Sequence, residues 1–155
     1  MSGPAGPRLA ETTANTPKVV SCLFCKIAAG EVAAQIVDEG PDTIVFLDHR
    51  PVFHGHCLVA TKQHYETLLD VPESMLGTLF ANVQRIGRAV ETGLGAEGSF
   101  MATNNRVSQS VPHVHVHVVP RRRKDGLKGF FWPRQKYESD DAARATRDAI
   151  RNALG

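Results

Sequence analysis

Apolar residues fall into two rhythms along this chain, and the boundary between them lies near Pro72. Before it come short β-branched runs. QIVD (35–38) and TIVFLD (43–48), joined by EGPD, predict a hairpin, and HCLVAT (56–61), entered through Gly55, predicts a third strand. After Pro72 the apolar step lengthens to three and four. Met75, Leu76, Leu79, Phe80, Val83, Ile86 and Val90 predict one amphipathic helix ending near Gly93, with Pro72 and Glu73 suited to its first turn. SFMAT (99–103) and PHVHVHVV (112–119) return to the strand rhythm across the polar loop NNRVSQS. SDDAARATRDAIRNALG closes the chain as a helix, with Ser139 as N-cap, aspartates in the first turn and arginines later. Near the start, SCLFCKIAAG (21–30) sets Leu23, Phe24 and Ile27 at helical spacing and predicts a short helix or turn ending at Gly30. The sum is an α+β domain: about five mostly antiparallel strands, one long helix and short terminal helices.

Composition changes this picture little. At 155 residues, with a hydrophobic share of 42% and a charged share of 22%, the chain is long enough for one domain with a real core. Residues 1–20, rich in Gly, Pro, Thr and Ala, read as a flexible tail without a signal-like apolar run. Residues 21–137 read as the folded body and 138–155 as the C-terminal helix. No stretch approaches the roughly 20 apolar residues of a membrane span. Three cysteines without an export signal argue against a disulfide framework, which sets the expectation of a cytoplasmic protein. A net charge of +2 is too small for bulk nucleic-acid affinity. Locally, Arg121, Arg122, Arg123 and Lys124 form a basic cluster that an anionic ligand would feel.

The chemistry concentrates in VPHVHVHVVPRRR (111–123). Side chains alternate across a strand, so His113, His115 and His117 share one face at steps of roughly 6.6–6.8 Å while Val114, Val116 and Val118 face the core. An exposed strand face explains one histidine but not three in a row. A single metal ion fits such a row poorly, because Zn–N distances of about 2.0–2.1 Å cannot span it. Nucleophilic and acid–base chemistry on a phosphate fits better, since imidazole titrates near neutrality and can attack when neutral or donate when charged.

H-V-H-V-H-V-V followed by Pro-Arg resembles the signature of the histidine triad (HIT) family. FLDHRPVFHGHCLVATKQH (46–64) and SCLFCKI are similar to that family's upstream stretches, so the resemblance runs through residues 21–123. It implies a nucleotide hydrolase or transferase acting on a purine nucleoside 5′-monophosphate derivative, of the phosphoramidate-cleaving type, through a covalent nucleotidyl-histidine. The alternatives are a dinucleoside polyphosphate hydrolase and a nucleotide- or nucleic-acid-binding module with little turnover. The resemblance makes His115 the nucleophile, oriented by a backbone carbonyl. His117 and His56 become contacts to the phosphoryl oxygens, Ser110 stands near the leaving group, and Gln109 stands close to the phosphate. Asp48 is matched to the ribose hydroxyls, and Leu23, Phe24, Ile27 and Phe46 to the wall around the purine. Asn104, matched to nucleotide binding, belongs to the loop before the triad, which in the family is commonly Asn-Asn-Gly and then Gly-Gln. Here Arg106 and Ser108 stand where glycines are usual. The resemblance also implies a homodimer paired through the long helix and an adjacent strand.

Cys22 and Cys25 form a C-x-x-C pair that reads as half a zinc site, a reduced thiol pair or a redox couple. By resemblance, His64 and His113 complete a Cys₂His₂ set for a structural zinc. His49 and His54 read as loop residues and Cys57 as a small buried hydrophobe. RRRKDGLKGFFWPRQKY (121–137) interleaves aromatics with cations, a pattern that suits either docking onto its own domain or a dimer partner, or stacking on single-stranded nucleic acid. Docking is the reading favoured, and a nucleic-acid partner is not expected.

Overall fold

The computed structural model describes residues 21–127 and 135–154. The tail expected over 1–20 and the aromatic stretch Phe130 to Trp132 lie outside them. The chain divides into two compact units, Met1–Arg123 and Lys124–Gly155.

In the first unit the element order is α1 (Leu23–Ala28), β1 (Ile36–Glu39), β2 (Thr43–Leu47), β3 (Cys57–Thr61), a 3₁₀ turn (Leu68–Asp70), α2 (Glu73–Leu94), β4 (Gly98–Ala102) and β5 (His115–Arg121). The strands form one sheet in the order β1-β2-β3-β5-β4, every neighbouring pair antiparallel. The expected α+β fold is therefore the observed one. In the second unit α3 (Asp140–Asn152) begins at Ser139, whose Oγ accepts from the Ala142 amide at 3.1 Å.

The sheet buries its two faces differently. On one, Val45, Cys57, Val59, Val116 and Val118 meet Leu79, Val83, Ile86 and Val90 of α2. Each of these larger side chains contributes roughly 1.5–3 kcal/mol on burial. On the other face Ile44, Phe46, Leu58 and Ala60 meet Cys22, Phe24 and Ile27. Two-residue alternation in β5 thus commits Val116 and Val118 to the helix and frees the opposite positions, those of His115 and His117, for chemistry.

Several strand ends shift by one residue from expectation, and two boundaries differ for a visible physical reason. Helix α2 runs past Gly93 to end at Gly95, whose φ of +59° supplies the left-handed cap and whose N–H reaches the Glu91 carbonyl. Strand β5 begins at His115, not at Pro112. Residues before it pair elsewhere: the Val114 N–H donates to the Tyr65 carbonyl at 2.7 Å and the His113 N–H to Val111 at 2.8 Å. His113 therefore stands outside the ladder that holds the other two histidines.

Candidate functional site

Antiparallel register places Leu58 opposite His117 and Ala60 opposite His115, so both imidazoles stand over the α1 face of the sheet. Their rings lie 4.9 Å apart, and Phe24 meets His115 edge-on at 5.0 Å. Phe24 also meets Phe46 at 5.1 Å. Phe24, Ile27 and Phe46 are buried, whereas Leu23 is 42% exposed on the outer side of the short helix. The hydrophobic positions near that wall extend further than the sequence indicated. A hollow of about 350 Å³ is lined by Ile27, Ala28, Val32, Ala34, Ile36 and Ile44, among others.

Two of the triad histidines, His113 and His115, are tied by backbone carbonyls that fix their tautomers, and His117 is tied by the His56 side chain. His115 Nδ1–H donates to the His113 carbonyl at 2.7 Å, leaving Nε2 with a lone pair. Burial lowers the His115 pKa below the usual imidazole range, against the opposing effects of that hydrogen bond and of Asp48. Thr103 Oγ–H donates to the His115 carbonyl at 2.8 Å and steadies the strand from β4's end. His117 is pushed down to about 4, by burial first and then by the neighbouring His115 and His56.

His56 is buried, and both of its ring nitrogens are engaged: Nδ1 takes the Val52 N–H at 3.2 Å and Nε2 lies 2.9 Å from His117 Nδ1. No ring atom is left for a phosphoryl oxygen, which corrects the direct contact expected of it. Asp48 Oδ1 accepts from the Arg50 amide at 2.9 Å, and Oδ2 lies 3.6 Å from His56 Nδ1. His49 and His54 are exposed loop residues.

The loop before the triad is braced by its own polar side chains. Gln109 Oε1 accepts from the Arg106 amide at 2.7 Å and its Nε2 donates to the Glu66 carbonyl at 2.6 Å, so its amide secures the loop instead of standing free beside a phosphate. Asn104 Nδ2 donates to the Ser108 carbonyl at 3.2 Å and likewise closes the loop. Ser110 is exposed. Arg106 and Ser108 hold φ of +69° and +59°, the left-handed conformation that glycine would adopt at no steric cost. The loop keeps a glycine-like path without glycine.

Two residues of the basic cluster, Arg122 and Arg123, are engaged at the end of α2 and the segment after it. Arg122 donates from Nη1 and Nη2 to the Gly95 and Leu94 carbonyls at 2.6 and 2.7 Å, capping the C-terminus of α2. The Arg123 N–H donates to Glu97 at 2.8 Å. The sequence reading missed this because an α-helix C-terminus attracts cations as an anionic ligand does, and adjacency in sequence does not distinguish the two.

A second constellation lies at the entrance to β5. Cys22 Sγ is 3.4 Å from His113 Nδ1, Cys25 Sγ is 3.4 Å from His64 Nδ1 and 3.5 Å from His113 Nδ1, and the two Nδ1 atoms are 3.2 Å apart. Around a tetrahedral ion with Zn–N of about 2.05 Å and Zn–S of about 2.3 Å, ligand atoms would stand about 3.3 Å (N to N) and about 3.6 Å (S to N) apart. These four separations match that arrangement within a few tenths of an ångström, and all four ligand atoms lie within 4.8 Å of one another. His113 Nε2–H donates to the Thr61 carbonyl at 2.7 Å, turning the Nδ1 lone pair toward the thiols, as the outer partner of a metal-bound histidine does. Burial, then the neighbouring Cys22, push the Cys25 thiol up to about 12. A bound cation would reverse that.

Residues 29–124 match the HIT domain, and the chain belongs to the HIT family. A HIT-like protein of Methanocaldococcus jannaschii is 39% identical over 107 residues, covering 68% of this chain and 82% of that one. An adenosine 5′-monophosphoramidase of Saccharomyces cerevisiae is 28% identical over 155 residues, covering 97% and 96%. Among solved structures, a Zn-bound histidine triad family protein from Mycobacterium smegmatis superposes with a TM-score of 0.67 at 36% identity, over 87% of this chain and 96% of that one.

Proposed function

We propose that this protein is a nucleotide hydrolase that cleaves purine nucleoside 5′-monophosphate derivatives of the phosphoramidate type, with His115 as nucleophile. The observation that carries this reading is the His115 geometry: a buried imidazole with its Nδ1 proton given to a carbonyl 2.7 Å away and its Nε2 lone pair free. Such a ring is neutral and oriented before substrate arrives. The yeast relative named as an adenosine 5′-monophosphoramidase supports the substrate class.

In the proposed reaction His115 Nε2 attacks the α-phosphorus, and the bond from phosphorus to the leaving nitrogen breaks with its electron pair going to nitrogen. The Ser110 hydroxyl delivers the proton that the departing amine takes and recovers one from water. His117 donates through Nε2–H to a phosphoryl oxygen. Water then attacks the nucleotidyl-histidine and releases the monophosphate, losing a proton to solvent as the P–N electron pair returns to His115. Phe24, Ile27 and Phe46 border the purine and Asp48 receives the ribose hydroxyls.

Cys22, Cys25, His64 and His113 hold a structural zinc in the same reading. Four protein ligands leave no open position, so its contribution is to tie the N-terminal segment to the catalytic strand. The proposed homodimer uses β4, an edge strand with Met101 exposed, and α2, with Phe80 exposed.

The test is a substrate panel. kcat/KM for an adenosine or guanosine phosphoramidate should exceed that for a diadenosine polyphosphate by at least about tenfold, which needs only about 1.4 kcal/mol of differential transition-state binding. His115→Ala should lose several orders of magnitude in turnover while still binding AMP. A reversed ratio selects polyphosphate cleavage, and tight oligonucleotide binding without turnover of any nucleotide selects a binding module.

A further inference from the structure

Among the buried histidines, His56 is left without a direct part in the proposed chemistry. His56 is 3% exposed, sits at the head of β3 and has both ring nitrogens engaged within the protein. The identity of its partners determines where its proton lies. A backbone N–H is an obligate donor, so the Val52 amide at 3.2 Å makes His56 Nδ1 an acceptor. A neutral ring with an accepting Nδ1 carries its proton on Nε2. That proton points at His117 Nδ1, 2.9 Å away, which must then accept. His117, with an accepting Nδ1, carries its own proton on Nε2.

From this geometry we infer that His56 is a positioning residue which, anchored by the Val52 amide, locks His117 in the Nε2–H tautomer. The inference rests on the hydrolase reading for its purpose: His117 then presents a fixed neutral donor to a phosphoryl oxygen.

Electrostatics are consistent with the chain of bonds. Burial is the largest cause holding both His56 and His117 below the ordinary imidazole range, so near neutral pH neither ring carries the second proton that would make both nitrogens donors. Asp48 Oδ2, 3.6 Å from His56 Nδ1, is too far to claim a proton there while the Val52 amide occupies that nitrogen. The neighbouring nucleophile is set the other way. His115 is held in its Nδ1–H tautomer by a carbonyl, so the adjacent rings are fixed as an acceptor facing phosphorus and a donor facing oxygen. Two residues apart on one strand, they receive opposite protonation from a backbone acceptor and a backbone donor.

Long-range proton–nitrogen NMR of the full chain at neutral pH tests the assignment directly. His117 should show a protonated Nε2 and an unprotonated Nδ1, and a His117 in the Nδ1–H form or averaging between forms overturns it. His56→Leu removes the bond, so the His117 signals should average and kcat fall by at least about tenfold with KM within about threefold. His56→Gln retains an amide donor near the position of Nε2 and should restore most of kcat. A rise in KM at constant kcat would make His56 a substrate contact, and unchanged kinetics in His56→Leu would remove its positioning role. Should His56→Leu fail to fold, the wild-type spectrum still decides the tautomer. A wild-type protein with the expected His117 spectrum but no turnover of any nucleotide refutes the hydrolase reading and leaves the tautomer assignment standing.

Discussion

Replacing Gly55 with alanine adds one methyl group where the chain turns into β3, and two separate costs follow. Gly55 has φ of +96°, and a non-glycine residue held at positive φ costs on the order of 1–2 kcal/mol. The new Cβ would also stand 2.2 Å from Leu94 Cδ1 and 3.5 Å from Pro120 Cγ. Leu94 is 47% exposed at the end of α2, so it can rotate aside, at roughly 0.5–1.5 kcal/mol for an unfavourable rotamer. Alanine restricts the unfolded chain and returns about 0.4–1 kcal/mol. The net expectation is about 0.5–3 kcal/mol of destabilisation, or about 1–12 °C in Tm for a chain of this size. Urea unfolding of wild type, Gly55→Ala, Leu94→Ala and the double variant separates the terms. The clash should vanish in the double variant, giving a coupling of about 0.5–1.5 kcal/mol, while the backbone term persists. A Gly55→Ala variant as stable as wild type would refute the strain argument, and strict additivity would show that Leu94 is not the obstacle. Because Gly55 precedes His56, the variant should also lose turnover beyond its loss of stability.

Removing the left-handed side chains of the triad loop by Arg106→Gly or Ser108→Gly should leave stability within about 1 kcal/mol of wild type, because relief of strain offsets the gain in unfolded-state freedom; a larger loss by urea titration would show that the side chains hold the loop. Cys25→Ser should abolish stoichiometric zinc by elemental analysis and lower Tm more than it weakens AMP binding. Protein from zinc-replete growth that carries no metal would refute that site. Leu79, fully buried between α2 and the sheet, should cost about 2–5 kcal/mol as Leu79→Ala in chemical denaturation. For pH, His117 is held down to about 4 in the folded state against about 6.5 unfolded. The unfolded chain then binds more protons between those values, so the His117 contribution is fully present above about 6.5 and is lost as pH falls toward about 4. Thermal melts across that window should show a shallower decline for His117→Asn than for wild type, and parallel curves would contradict the shift.

Much of this architecture is legible in the sequence because one-sided burial imposes a period. The valines of β5 and the apolar positions of α2 announce opposite halves of one core, and the alternation alone places His115 and His117 on the other side. Backbone groups leave no such trace. Nothing in the residue string shows that the Val52 amide meets His56, that the Thr61 carbonyl turns His113, or that the Leu94 and Gly95 carbonyls take Arg122. Main-chain donors and acceptors are the same at every position, so a side chain's partner there depends on the fold. His56 and Gln109 are the instructive cases. Their residue types suit phosphate contact, yet geometry engages both with the protein itself.

Strand β5 lies between β3 and β4, with the α2 core beneath it. Interior strands over a packed core open only with the whole domain, so the amides around His115 and His117 should be among the slowest to exchange with deuterium. Loop 103–110 and the turn 48–55 lack that protection and belong to the fast-exchanging end. On the proposed hydrolase reading, ligand entry and product departure would then fall to those two segments, on a timescale set by loop motion, while the His115 and His117 imidazoles stay still.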